Sequence, residues 1–313
     1  MTYDELRQEC SRPLSIEGAP RPAGRTQIIV GGMGGSALPA YALRFFDPAL
    51  PIATHRDYDL PEDAPEDALY VALSYSGNTA EALSFARAAR ERGLPLAVIA
   101  SGGELLALAE EAGIPYVRVP GGMQPRNALF YSTRALAELM GRDALVAPLG
   151  GVSFDADALE REVRSLAGKL AGALPIIYAS RRNGFLAYVS KINLNETAKM
   201  PAFANVFPEL NHNEMQSFDS ATPEDVAALA RFVLLRDPSD DPRLAKRMDV
   251  FAELMRERGR QVVEVPLPDA SRAEVFLRTW FLMHRTARAL AEERGVDPDA
   301  VSFIEDFKKR IAA

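Results

Sequence analysis

The sequence predicts an α/β protein of two similar units, each a parallel β-sheet flanked by helices on both faces. Three observations carry this reading. Short apolar, β-favouring runs such as Leu69–Leu73 and Leu96–Ala100 suit strands buried on both faces. Stretches with helical spacing follow them, as where Ala80, Leu83, Ala86 and Ala89 recur. The alternation then resumes beyond a Pro- and Gly-bearing stretch, residues 144–153, and that stretch separates residues 1–150 from 151–313.

In chain order, residues 2–8 read as a short amphipathic helix before a proline-marked loop. A strand over 27–30 leads through Gly31, Gly32, Met33, Gly34, Gly35 and Ser36 into a helix over 37–46, where Pro39 fits only the first turn. Strands follow at 51–55, 69–73, 96–100 and 115–119, with helices from Thr79 onward, at 104–112 and at 128–140. The second half reads as helix 155–170, strand 174–179, helix 185–199, strand 230–235, helix 241–258, strand 260–265 and helices 273–293 and 298–311.

The turn after Leu69–Leu73 is the most informative stretch. It holds Ser74, Ser76, Gly77, Asn78 and Thr79, with no acid. Backbone N–H groups and the helix dipole converge there and favour an anion. Capping needs one hydroxyl; three within six residues point to a phosphate cradle. The glycine-rich turn at 31–36 lets backbone approach a ligand, but it lacks the dinucleotide spacing and a well-placed acid ~20 residues on. No nicotinamide cofactor is therefore expected. The second half lacks a cradle: Arg181, Arg182, Asn183 and Gly184 replace the glycines, and RDPSDD (236–241), whose aspartates would repel phosphate, replaces SYSGNT (74–79). One phosphate site per chain is expected.

Bulk properties narrow the function classes. The 313 residues are 48% apolar and 25% charged, with a net charge of −7 that argues against nucleic acid. No apolar run approaches the ~18 residues of a membrane helix, and the acidic, polar start MTYDELRQEC is unlike a signal peptide. Cys10 is the sole cysteine, so no intrachain disulfide forms, and the cytoplasm is the expected location.

Chemistry concentrates in residues 191–218. Glu196 lies four residues from both Ile192 and Met200, on or beside the apolar face of its helix. A carboxylate there is paired, with Lys199 as the partner in reach, or functional. His212, between Asn211 and Asn213 and followed by Glu214, falls in a stretch without periodicity and suits loop-borne acid–base work. His284 reads as a helix-packing histidine, and His55 has no supporting cluster. Arg126 follows the last strand of the first half, either at the ligand-binding ends of the strands or as a solvated charge. Three scattered histidines and one cysteine form no metal-ligand constellation. A phosphate cradle, a carboxylate, an imidazole and a guanidinium, without metal or cofactor, suit proton transfer on a phosphorylated sugar.

GGMGGSA (31–37) and SYSGNTAEAL (74–83) resemble the signatures of the sugar isomerase (SIS) domain. PRNALFYS (125–132), NLNETAKMPA (193–202) and FPELNHNE (207–214) resemble the bifunctional phosphoglucose/phosphomannose isomerases of archaea and some bacteria. The resemblance implies two SIS-type subdomains, aldose–ketose isomerisation through an enediolate, no cofactor, and a homodimer. It implies that Gly35, Ser36, Ser74, Ser76 and Thr79 hold the phosphate, and that Glu196 moves the proton between C1 and C2. It also implies that Arg126 stabilises the enediolate and that His212 opens the ring from the partner subunit. The family's last-helix lysine best matches Lys308, with Lys309 a rival. Ala37-Leu38-Pro39 and Met215-Gln216-Ser217-Phe218 depart from the family pattern. A non-catalytic SIS sugar-phosphate sensor and an SIS isomerase of another sugar phosphate are the competing readings.

Overall fold

The computed structural model describes residues 1–22, 24–219 and 226–311. The chain divides into two compact units, Met1–Val152 and Ser153–Ala313. Among the described residues, no helix is long and apolar enough to cross a membrane.

The first unit runs α1 (Tyr3–Ser11), β1 (Ile16–Glu17), β2 (Ile28–Gly31), α2 (Leu38–Phe46), β3 (Ile52–His55), β4 (Leu69–Leu73), α3 (Ala80–Glu91), β5 (Leu96–Ala100), α4 (Gly103–Ala112), β6 (Tyr116–Arg118) and α5 (Leu129–Met140). Its six-stranded sheet has the order β1-β6-β5-β4-β2-β3, parallel except for β1. Side chains alternate across it. Tyr70, Ala72, Val98 and Ala100 pack with Phe85, Ala86, Leu105 and Leu106 of α3 and α4. The intervening Val71, Leu73, Ala97 and Ile99 are equally buried and face the other layer, where α2 packs on α5.

The second unit runs α6 (Ala156–Leu170), β7 (Leu174–Ser180), α7 (Gly184–Glu196), β8 (Phe203–Phe207), β9 (Ala230–Arg236), α8 (Pro242–Glu257), β10 (Gln261–Pro266), α9 (Arg272–Glu293) and α10 (Ser302–Ile311). The sheet is wholly parallel, in the order β10-β9-β7-β8. Tyr178, Phe232 and Leu234 pack against Met248, Phe251 and Met255 of α8. Helices α6, α7 and α9 pack together, with α7 against β7. His284 is fully buried in α9, stacked on Trp280 with ring centroids 4.8 Å apart.

Three expectations need correction. Strand β8 falls in a stretch for which the sequence predicts no strand; as an edge strand it is mostly half-exposed and carries Asn205, so it lacks an apolar signature. Helix α7 ends at Glu196, not at 199. Lys199 takes a left-handed φ of 54°, and Pro201 biases Met200 away from helix. The last helix starts at Ser302, after a bend, rather than at 298.

Candidate active site

In both units the chain leaves a central strand towards one edge and returns to its other side. The resulting switch points, where ligands bind in such sheets, lie between β2 and β4 and between β7 and β9.

At the first switch point the two predicted turns meet. The 3-10 turn Gly34–Ala37 follows β2, and the Ser36 hydroxyl accepts the Tyr75 N–H at 3.1 Å. Ser74, fully buried, donates to the Thr79 hydroxyl at 2.9 Å and accepts the Gly77 N–H at 3.1 Å. Ser76 is exposed and accepts the Asn78 N–H at 3.3 Å. Gly77 has φ +73°, and a Cβ there would lie 1.8 Å from the Gly102 oxygen, so only glycine fits. The cradle thus places small hydroxyls and an α-helix start around one spot. Arg126 belongs to it: a Cβ on Gly35 would lie 3.1 Å from the Arg126 nitrogen, which puts the Gly34–Ala37 turn against the 3-10 turn Pro125–Asn127. Arg126 is 2% exposed, which excludes a solvated surface charge.

Two residues that support this cradle carry no signal in the sequence. The Tyr75 hydroxyl donates to the Pro120 carbonyl at 2.9 Å and accepts the Met123 N–H at 3.1 Å, tying the arginine loop to the phosphate turn. Glu9 of α1 accepts the Phe130 and Tyr131 N–H groups at the start of α5, both at 3.0 Å. Tyr75 bonds to a loop some 45 residues on and Glu9 to a helix some 120 residues on, which hides both roles from a local reading.

The second switch point is occupied from within. Asp237, 8% exposed, accepts the Asn183 amide at 2.8 Å and the Ser239 N–H at 2.9 Å, with the Arg272 guanidinium 3.8 Å away. Burial pushes its carboxyl up, but Ser239, Asn183 and the Arg182 charge outweigh that and hold it below the usual range. A carboxylate thus stands at the second switch point, where the first has hydroxyls and backbone N–H groups.

The remaining candidates lie in the second unit. Glu196, half-buried at the end of α7, lines a cavity of about 750 Å³ with Asn195, Lys199, Val301 and Phe303. The Lys199 ammonium donates to the Glu196 and Pro298 carbonyl oxygens at 2.5 and 3.4 Å. His212 ends the 3-10 turn Glu209–His212, is exposed, and is not in that cavity wall. Its loop is moored by Glu214, which accepts from the Tyr178 hydroxyl and the Asn205 amide. Lys308 and Lys309 are exposed on α10; the first turn of that helix, not these lysines, lines the cavity. The described residues contain no group of three or more His, Cys, Asp or Glu arranged to hold a metal ion.

The family model for the bacterial phospho-glucose isomerase C-terminal SIS domain matches residues 159–311. A bifunctional phosphoglucose/phosphomannose isomerase of Thermoplasma acidophilum is 31% identical over 100% of this chain and 98% of its own. A D-glucosamine-6-phosphate 4-epimerase of Sulfolobus acidocaldarius is 34% identical over 72% of each chain. Among solved structures, a hypothetical protein from Thermus thermophilus superposes with TM-score 0.65 at 19% identity, covering 99% of this chain and 87% of that one. That last likeness speaks for the fold alone. The chain belongs to the bifunctional phosphoglucose/phosphomannose isomerase family, a family of SIS-domain isomerases.

Proposed function

We propose that this chain interconverts glucose 6-phosphate and mannose 6-phosphate with fructose 6-phosphate, through a cis-enediolate and without metal or cofactor. The observation that carries the reading is the cradle at the first switch point, with its hydroxyls and the Arg126 turn in contact. Gly35, Ser36, Ser74, Ser76 and Thr79 hold the phosphate and so fix the reacting carbons. His212 protonates the ring oxygen, with Lys308 or Lys309 near it, and opens the ring. Glu196 takes the proton from C2 of the aldose and returns it to C1, and Arg126 offsets the charge of the enediolate. The epimers differ only at C2 and give one planar enediolate, so one base serves both provided that the intermediate turns between the two faces.

The working form is a cytoplasmic homodimer in which His212 acts on the partner's substrate. Its support is chemical: His212 is exposed and lies outside the cavity wall that holds Glu196 of its own chain. A coupled assay of fructose 6-phosphate formed from each hexose phosphate tests the reaction. Both should be consumed; turnover of neither would refute it. The epimerase relative makes glucosamine 6-phosphate the third substrate to try. Its conversion in place of the other two would assign epimerase chemistry instead.

A further inference from the structure

Glu9 is a buried acid that the chemistry above leaves unused. It is 1% exposed, and its Oε1 accepts two backbone N–H groups, while its Oε2 has no hydrogen-bond partner among the described residues. Ala128, at the N-cap of α5, supplies no side-chain cap, so a carboxylate from α1 satisfies the first turn instead. The arginine turn Pro125–Asn127 runs directly into that helix. Its other flank is held by the Gly35 backbone and the Tyr75 hydroxyl.

We propose that Glu9 is a positioning residue for Arg126: its carboxylate fixes the first turn of α5 and the arginine turn before it, so that turnover rises as Glu9 ionises. The inference rests on the reading of Arg126 as the enediolate's cation.

An ionised carboxylate accepts N–H groups about twice as strongly as a neutral acceptor and is favoured by the helix dipole. Burial pushes the Glu9 carboxyl up to about 8, against the pull of the Tyr131 and Phe130 N–H groups. The titratable neighbours are Cys10 on the same helix, Tyr75 after β4 and Tyr131 on α5, and the Arg134 charge of α5 acts on Cys10. The 3-10 turn Ala147–Gly151, also packed on α1, carries none. Burial raises the Cys10 thiol and the Tyr75 phenol as well, which leaves Glu9 to change charge near pH 8. A raised carboxyl contributes stability that is complete below its ordinary value of 4.5 and lost as pH rises through about 8. Activity and stability therefore move in opposite directions with one proton. A residue that only held the fold would move them together.

The test compares the full wild-type chain with Glu9→Gln between pH 6 and 9.5, measuring kcat and KM for glucose 6-phosphate and the melting temperature. Wild-type kcat should rise about 3- to 10-fold between pH 7 and 9 at nearly constant KM while the melting temperature falls. The Gln variant should lose both of these components. Unchanged pH profiles in the variant, or a change confined to KM, would overturn the proposal. If the wild type turns over neither hexose phosphate, the isomerase reading fails instead. In that case, or if the variant does not fold, the NMR amide-proton shifts of Phe130 and Tyr131 in the folded wild type decide about Glu9. They should move downfield from pH 7 to 9 as the ionised carboxylate strengthens both bonds, and pH-independent shifts would refute the role.

Discussion

Replacing Gly77 by Ala should dismantle the phosphate cradle while leaving its hydroxyls in the sequence. The φ of +73° costs an L-residue ~1 kcal/mol or more. The new Cβ would lie 1.8 Å from the Gly102 oxygen, so the two turns must part by roughly 1.5 Å to reach van der Waals contact. Such a shift breaks the Leu105 N–H to Gly77 carbonyl bond, now 2.9 Å, and the Glu104 N–H to Asn78 bond, now 3.0 Å. At ~1 kcal/mol each, the total reaches about 3–4 kcal/mol, or about 6–16 °C in the melting of a unit of this size. Gly93 is the control: its φ is +64°, but nothing lies within 4 Å of its Cβ position. Gly93→Ala should cost only ~1 kcal/mol. Calorimetry gives the melting temperatures, and titration calorimetry gives the affinity for inorganic phosphate, expected to fall at least tenfold in Gly77→Ala alone. If the two variants melt alike and bind phosphate equally well, the close approach to Gly102 does not shape the site.

Glu196→Gln keeps the size of the side chain and removes the base; steady-state kinetics should show kcat lower by roughly 10²–10⁴-fold at nearly unchanged KM. Asp237→Ala orphans the Asn183 and Ser239 donors and should cost roughly 2–4 kcal/mol in urea melts at pH 7. Because the Asp237 carboxyl is held low, its contribution is complete above the ordinary ~3.9 and lost as pH falls through the native value. The gap between variant and wild type should therefore close in acid, and a constant gap would contradict this. A mixed dimer of Glu196→Gln and His212→Ala chains, purified through two tags, should regain about half of wild-type activity if His212 acts in trans. Activity as low as that of either parent would place it in cis.

The regular parts of the fold were legible because they obey local rules. Buried parallel strands such as Leu69–Leu73 and Leu96–Ala100 are continuous apolar runs, and the cradle turn announces itself by hydroxyls packed beside a glycine. What escaped depends on partners distant in sequence. Among the described residues Phe203–Phe207 pairs only with β7, and it needs no apolar alternation to do so. Glu9 sits in an unremarkable polar helix until α5, more than a hundred residues later, presents its N–H groups. Arg126 is a candidate by its place after the last strand of the first half, but the burial that excludes a solvated charge leaves no trace in its own flanks.

The carboxylate of Asp237 changes how the two halves respond to substrate. It acts as a tethered ligand for the Asn183 and Ser239 donors, one whose effective concentration never falls. Inorganic phosphate should find those donors already engaged and leave the contribution of Asp237 to stability, and its loss in acid, unchanged.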